Sequence, residues 1–505
     1  MKRITTLLLA VMFTIGCVTA AQAQSAVDVK VKGRWDFAFT MVFNSEFNKN
    51  GDRNGTVRND DNFIGGTQRV RTQVNFIMSE NLQAVLHFEI GSINWGNNNG
   101  NGSVGKGSGG SLSADGVNVE TKHAYLDWMV PNTALKIRMG IQGIALPSSN
   151  LDSLLLDDDM AGIVASYKFN DMFTLTGFWA RPFNANITDP VNRSLNDEVD
   201  LFGLVGAISL DGATISPYFM YGNIGSASNF YTSRYTATAT TDDSRASAWW
   251  LGTALEVDIL DPLVFSGEFT YGSIGKNPAS YTRIARTFDA QEDLSMRGWY
   301  VAATVDYKTS WGIPGIFGWY SSGDNASDVR DSNRLGRMPT VHGDQGFTSF
   351  GTDGAFGDGP GTGYLLNESV IGTWGLGIQL ADVSFIKKLS HTLRFTYYTG
   401  TNDAKIVRDA RRASGNTSGM WAGAADYNEN MAGIGSGPDR QTPNYLTDKD
   451  HAFEINFDHK YRIYDNLRVA LELGCISIDR DKNTWGSDFQ DETAYKVAVA
   501  FEYRF

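Results

Sequence analysis

The last residues of the chain, AYKVAVAFEYRF, alternate strictly. Tyr495, Val497, Val499, Phe501, Tyr503 and Phe505 fall on one side, and Lys496, Ala498, Ala500, Glu502 and Arg504 on the other. Period two is the signature of a β-strand whose faces meet different surroundings. Near the other end, VDVKVKGRWDFAFTMVF repeats it: Val27, Val29, Val31, Trp35, Phe37, Phe39 and Met41 oppose Asp28, Lys30, Lys32, Arg34 and Asp36. Two-faced strands at both ends are what a barrel needs if its first and last strands are to close it. Within the chain, LRVALELGCISI sets Leu467, Val469, Leu471, Leu473 and Cys475 against Arg468, Ala470, Glu472 and Gly474, which places Cys475 on the apolar face as an inert side chain.

The connections also alternate. Tight joints fall at Ser79 to Asn81, Pro131-Asn132, Asn170-Asp171, Asp211-Gly212, Leu260 to Pro262, Gly312 to Pro314, Lys387 to Ser390 and Tyr464 to Asn466, where Gly, Pro, Asn and Asp supply turn geometry. Between them lie long polar segments, roughly 44–66, 93–116, 143–159, 182–196, 223–244, 273–294, 322–368, 401–448 and 479–491. Strand, short turn, strand, long loop is the rhythm of a transmembrane antiparallel β-barrel with turns in the periplasm and loops outside. The fold class is therefore all-β, with 16 to 18 strands and a count that favours 18. The weakest strand patterns are Pro314 to Tyr320 and Gly372 to Leu380, where Gly and Pro intervene. Aromatic residues gather at strand ends, with Trp128, Tyr307, Tyr461 and Tyr503 near the turns and Phe43, Trp95, Trp179, Tyr221, Tyr271 and Trp319 near the loops, as two interfacial girdles would require.

The first residues, MKRITTLLLAVMFTIGCVTAAQA, have the basic start, short apolar run and small-residue end of a cleaved signal peptide, 1–23, followed by a single barrel domain, 24–505. The alternative use of that segment is lipid attachment at Cys17. Loss of Lys2 and Arg3 takes the formal charge from −13 to about −15 and leaves one cysteine, so no internal disulfide forms. So acidic a chain excludes a nucleic-acid binder. No segment beyond residue 23 has the ~18 unbroken apolar residues of a spanning helix, whereas a barrel shows only alternate residues to lipid.

The opening strand at Val27 to Met41, the KHAYLDW and IRMGIQ strands, the long loop after the latter and the terminal EYRF resemble the outer-membrane homotrimeric porins of Gram-negative bacteria. The resemblance implies a trimer of water-filled barrels for passive diffusion of ions and small hydrophilic solutes, set among outer-membrane lipid and lipopolysaccharide. It also implies that Tyr503 and Phe505 are a signal to the barrel-assembly machinery. By register, Lys32, Arg34, Arg69, Arg71, Lys136 and Arg138 form a basic wall on neighbouring strands. The loop GIALPSSNLDSLLLDDDM carries Asp152, Asp157, Asp158 and Asp159. In such porins the third external loop folds into the barrel, so the resemblance places these acids opposite the basic wall at a constriction. The other reading makes them a solvated loop end, with Leu154, Leu155 and Leu156 packed beneath it or at a subunit contact.

Catalytic chemistry has no foothold. GNGSVGKG, 100–107, begins like a phosphate loop but puts Gly107 where Ser or Thr is needed. The histidines 87, 123, 342, 391, 451 and 459 show no metal-ligand spacing, and neither a metal site nor a cofactor is expected. GDRNGTVRNDDN and GTDGAFGDGPGTG leave room for an incidental Ca ion in external loops, though neither matches an EF-hand. A barrel of this size encloses an aqueous channel. General diffusion is favoured over a substrate-selective porin because the candidate lumenal aromatics, Trp250, Tyr300 and Tyr398, are scattered. A barrel enzyme or a soluble exported β-protein is the reading from another class.

Overall fold

A computed structural model describes residues 27–44, 52–53, 56–57, 62–96, 119–149, 152–184, 198–225, 228, 245–277, 294–332, 334–343, 346–351, 370–413, 446–485 and 493–505. The segment read as a signal peptide, Cys17, the 100–107 stretch and most of both acid-rich loop sequences lie outside them.

Eighteen long strands form the wall. They are β1 (Asp28–Phe43), β2 (Phe63–Ser79), β3 (Leu82–Asn94), β4 (Glu120–Met129), β5 (Leu135–Ala145) and β6 (Asp157–Lys168), then β7 (Phe173–Asn184), β8 (Glu198–Leu210), β9 (Ala213–Gly225), β10 (Arg245–Val257), β11 (Leu263–Asn277) and β12 (Leu294–Tyr307). The circuit is completed by β13 (Ile313–Ser321), β14 (Thr373–Ile386), β15 (Leu389–Gly400), β16 (His451–Tyr464), β17 (Leu467–Asp479) and β18 (Thr493–Arg504). Each pairs antiparallel with its neighbours in sequence, and β18 pairs with β1, so the sheet has no open edge. The two uncertain segments both form strands, Pro314 to Tyr320 inside β13 and all but the leading Gly372 of the other inside β14, and the sixteen-strand alternative falls away.

Closure joins the first and last strands as expected, in a register that sets Arg34 opposite Arg504 and Phe37 opposite Phe501. The seam ends on Phe505, whose N–H donates to the Gly33 carbonyl at 3.0 Å while Gly33 N–H donates to the Phe505 carbonyl at 2.8 Å. Gly33 interrupts the outward row Val29, Val31, Trp35 for a steric reason: a Cβ there would lie 2.3 Å from the Phe505 ring.

The two faces separate as the alternation requires. Outward rows stay exposed, as at Val29, Val31, Trp35, Leu251, Ile316, Leu376, Ile378 and Phe453, while the inward Ala38, Thr40, Arg69, Ala254, Ala498 and Ala500 are buried. An apolar belt around a closed barrel, whose strands pair all the way round, suits hydrocarbon as solvent. Ring pairs such as Trp299–Tyr320 at 4.6 Å and Trp249–Tyr271 at 5.2 Å sit at the loop ends of the outer wall. Trp319 does not join them: it points inward and is buried.

Glycine inside the barrel has a packing role that explains its cost to the strand pattern. Phe317 lies opposite Gly377 and Trp319 opposite Gly375, and each ring lies flat where a Cβ on its partner would come within 2.3 Å. Flattened aromatic rings leave the barrel axis free for another segment.

Candidate channel lumen

The residues expected to form a basic wall do share the inward face of adjacent strands. Arg34 is opposite Arg71, and Asp36 opposite Arg69. Like charges side by side would repel, and carboxylates that the sequence reading placed on the inward rows, without setting them against the basic wall, intervene. Arg34 Nε donates to Asp36 at 2.8 Å, and Arg71 Nε to Glu89 at 2.5 Å. Arg69 lies 3.8 Å from the same Glu89. On the neighbouring pair, Arg138 donates twice to Asp127, at 2.6 and 2.8 Å, and lies over the Tyr125 ring at 4.2 Å. Lys136 reaches Asp127 at 3.3 Å. Glu502 takes Arg468 at 2.7 Å and Arg504 at 2.6 Å. Lys32, lower on β1, is exposed. The wall is therefore a ladder of both signs, in which each guanidinium is held in place by a carboxylate on its own or an adjacent strand.

The acidic residues are not where the sequence reading put them. The third connection spans 146–156, because β5 runs to Ala145 and Asp157, Asp158 and Asp159 already belong to β6. They sit on the strand beside β5 rather than across the lumen from it. Asp159 bonds to Lys122 and, at 2.7 Å, to His123 Nε2. Asp158 lies 3.3 Å from His342 Nδ1, and Asp157 N–H donates to the His342 carbonyl at 2.7 Å. Asp152 is exposed in the connection. Leu154, Leu155 and Leu156 are buried, which favours the packing reading of that tripeptide.

His342 belongs to a second segment that enters the barrel, from the connection between β13 and β14. It begins with the helix α1 (Ala326–Ser332), continues as a two-residue strand at Arg334–Leu335 running parallel to β12, and reaches Gly351. Its apolar residues Val329, Leu335, Met338, Val341, Phe347 and Phe350 are all buried. The wall receives it at several points. Trp250 Nε1 donates to the Pro339 carbonyl at 2.8 Å, and Phe347 stacks on Trp319 at 4.6 Å and on Phe317 at 5.6 Å. At the far side Lys496 Nζ donates to the Ser349 carbonyl at 2.6 Å and to Glu472 at 2.8 Å. Ser349 Oγ donates to Asp458 at 3.0 Å, and Gly351 N–H to Glu454 at 3.1 Å, with Tyr398 on the same carboxylate at 2.9 Å.

Thus the segment meets the wall at β6, through Asp157, and from β10 to β18, and Trp250 and Tyr398 anchor it rather than forming a track for solute. Tyr300 is likewise fully buried in the same apolar cluster. The sequence carried one signal of this, a set of apolar residues inside RLGRMPTVHGDQGFTSF, in a connection otherwise rich in Gly and Asp. A cavity of about 430 Å³ is lined by Lys136, Arg138, Gln142, Ile144, Phe178 and Val205, among others, on β5 to β8.

No protein-family model matches the sequence, and no curated protein matches it. Solved structures do. OpdL of Pseudomonas aeruginosa is 10% identical with a TM-score of 0.49, covering 95% of this chain and 99% of that one. OccAB3 of Acinetobacter baumannii gives 10% identity and a TM-score of 0.49, covering 95% of this chain and 100% of that one. OpdK of P. aeruginosa, solved with vanillate, gives 9% identity and a TM-score of 0.47, covering 95% and 98%. At such distances the function has to be argued from this chain's own geometry.

Proposed function

We propose that this chain is an outer-membrane porin of a Gram-negative bacterium, a channel for passive diffusion of ions and small hydrophilic solutes. The observation that carries the reading is the closed eighteen-strand wall with an apolar exterior and an ion-paired interior. Such an interior has no use in a soluble β-protein, and a lumen of this strand number is wide enough for water. The segment from 326 to 351 narrows the passage from one side, leaving solutes to move along the charged ladder of β1 to β6. Fixed charges of both signs at a narrowing orient dipolar solutes and disfavour apolar ones.

The narrowing favours a selective channel over an open one, because the apolar cluster around Trp250, Trp319 and Phe347 occupies space that a general-diffusion barrel would leave to water. Asp157, Asp158 and Asp159, next to the inserted His342, are the acids we assign to the mouth of the narrowing, with Arg34, Arg69, Arg71 and Arg138 lining it beyond. Planar-bilayer recording tests the function: discrete conductance steps support it, and a protein that never conducts overturns it. Replacing the three aspartates with asparagine shifts the reversal potential in a salt gradient; an unchanged potential removes them from the path.

Assembly completes the proposal. The signal peptide 1–23 is cleaved, Tyr503 and Phe505 address the chain to the barrel-assembly machinery, and the mature barrels form a homotrimer bordered by lipid and lipopolysaccharide. Intact mass reports the cleavage and would reveal lipid on Cys17. Comparing heated and unheated gel mobility reports the trimer, and conductance steps in threes would agree with it.

A further inference from the structure

The histidines showed no metal-ligand spacing along the sequence, yet the barrel places two of them opposite each other on the lumen wall. His87 on β3 pairs in register with His123 on β4, at a bulge that accommodates Lys122. Their Nδ1 atoms are 3.2 Å apart, with the rings edge to face at 63°. Two nitrogens that each bind a metal at ~2.0–2.1 Å would be separated by this distance when the angle at the metal is roughly 100°, close to tetrahedral.

The second observation is the carboxylate behind one of them. Asp159 on β6 accepts from His123 Nε2 at 2.7 Å and is itself held by Lys122. A proton fixed on Nε2 leaves the Nδ1 lone pair of His123 directed at His87. A carboxylate on the distal nitrogen is the usual support of a metal-bound imidazole. Nearby charges balance: Arg71 is engaged by Glu89, and Lys122 by Asp159.

We propose that His87 and His123 form a two-imidazole site for a divalent transition-metal ion of the Zn²⁺, Cu²⁺ or Ni²⁺ class, with Asp159 as its positioning residue. Imidazole nitrogen selects these ions over Ca²⁺ and Mg²⁺, which take oxygen. Among the described residues no group of three or more His, Cys, Asp or Glu gathers around one point, so water completes the coordination and the ion exchanges readily. A second histidine pair, His391 and His459, has Nδ1 atoms 2.6 Å apart and packs beside Phe457 on the outward row. Among the described residues no carboxylate contacts either ring, and the test removes this pair so that its nitrogens do not contribute. Metal binding itself does not depend on the channel reading; its effect on conductance does.

The test uses tag-free full-length protein in detergent on a His391→Ala background, titrated with Cu²⁺ and read by electron paramagnetic resonance. One equivalent with two-nitrogen coupling is expected, lost in His87→Ala and in His123→Ala, with affinity weakened about 10–100-fold in Asp159→Asn. A signal unchanged by both histidine substitutions, or its absence from the parent, overturns the site. In bilayers Zn²⁺ reversibly lowers conductance of the parent and not of His123→Ala. Two-nitrogen binding without any effect of Zn²⁺ on current would uphold the site and count against placing it in the conducting path.

Discussion

Lys496 is read from the sequence as an inward, water-facing charge, and it is inward but only 2% exposed. Its ammonium is shared between Glu472 and the Ser349 carbonyl, so it holds the tip of the inserted segment. Removing one member of a buried ion pair strands the other and costs ~3–5 kcal/mol. Lys496→Met is therefore expected to lower the temperature at which heated samples shift on a gel, and to make single-channel current larger and noisier. Adding Glu472→Gln removes the stranded charge and recovers thermal stability, while the current stays noisy because Ser349 still lacks its donor. Restored quiet current in the double variant would show that the ion pair, and not the bond to Ser349, holds the tip. Period two reveals which side Lys496 faces because that depends only on its strand neighbours. It cannot reveal that residue 349 comes to cover it, since that contact is set by the path of a long connection.

At the level of elements, the strands were legible because each one has two solvents, and their order was legible because turns and loops alternate. The ambiguous pieces became strands for a reason that is not local: Gly375 and Gly377 lack side chains where the Trp319 and Phe317 rings from β13 lie. The same logic places Gly33 beneath Phe505 at the closing seam. A Cβ at residue 33 would also meet the Arg71 carbonyl at 2.5 Å, and backbone cannot swing away as a ring can. Overpacking of this kind costs ~1–3 kcal/mol. Gly33→Val should therefore lower the gel-shift temperature of inserted barrels while the amount assembled stays near that of the parent. Deleting Phe505 should instead reduce the amount assembled. If the two variants fail alike, Phe505 acts through the seam alone and the assembly-signal proposal fails. The ends of β5 and β6 were misread because three aspartates in a row resemble a loop. Pairing of Asp157 with Ala145, Asp158 with Ile144 and Asp159 with Gly143 extends the hairpin beyond that signal.

For the whole molecule, the inserted segment is the part of the design that the sequence hides best. Its apolar residues follow neither period two nor a helical repeat, because they pack on a concave wall assembled from β10 to β18. It is docked by ring contacts at Phe347 and by buried polar groups at Ser349 and Gly351, so the two kinds of anchor can be removed separately. Phe347→Ala removes the ring that stacks on both Trp319 and Phe317, a loss of ~3–5 kcal/mol by the usual cost of a buried phenylalanine. The barrel itself retains its full set of strand pairings, because Phe347 belongs to no strand. Released at that point, the segment should spend part of its time away from β13, and the passage beside β1 to β6 should widen. Bilayer recordings are then expected to show a second, larger conductance level in Phe347→Ala, with a gel-shift temperature close to that of the parent. Ion selectivity in the larger level should weaken, since the charges of the ladder would act across a wider stretch of water and be screened over ~8–10 Å. A single level of parental size and selectivity would mean that the segment does not bound the conducting path, and would return the channel to the open, general-diffusion type.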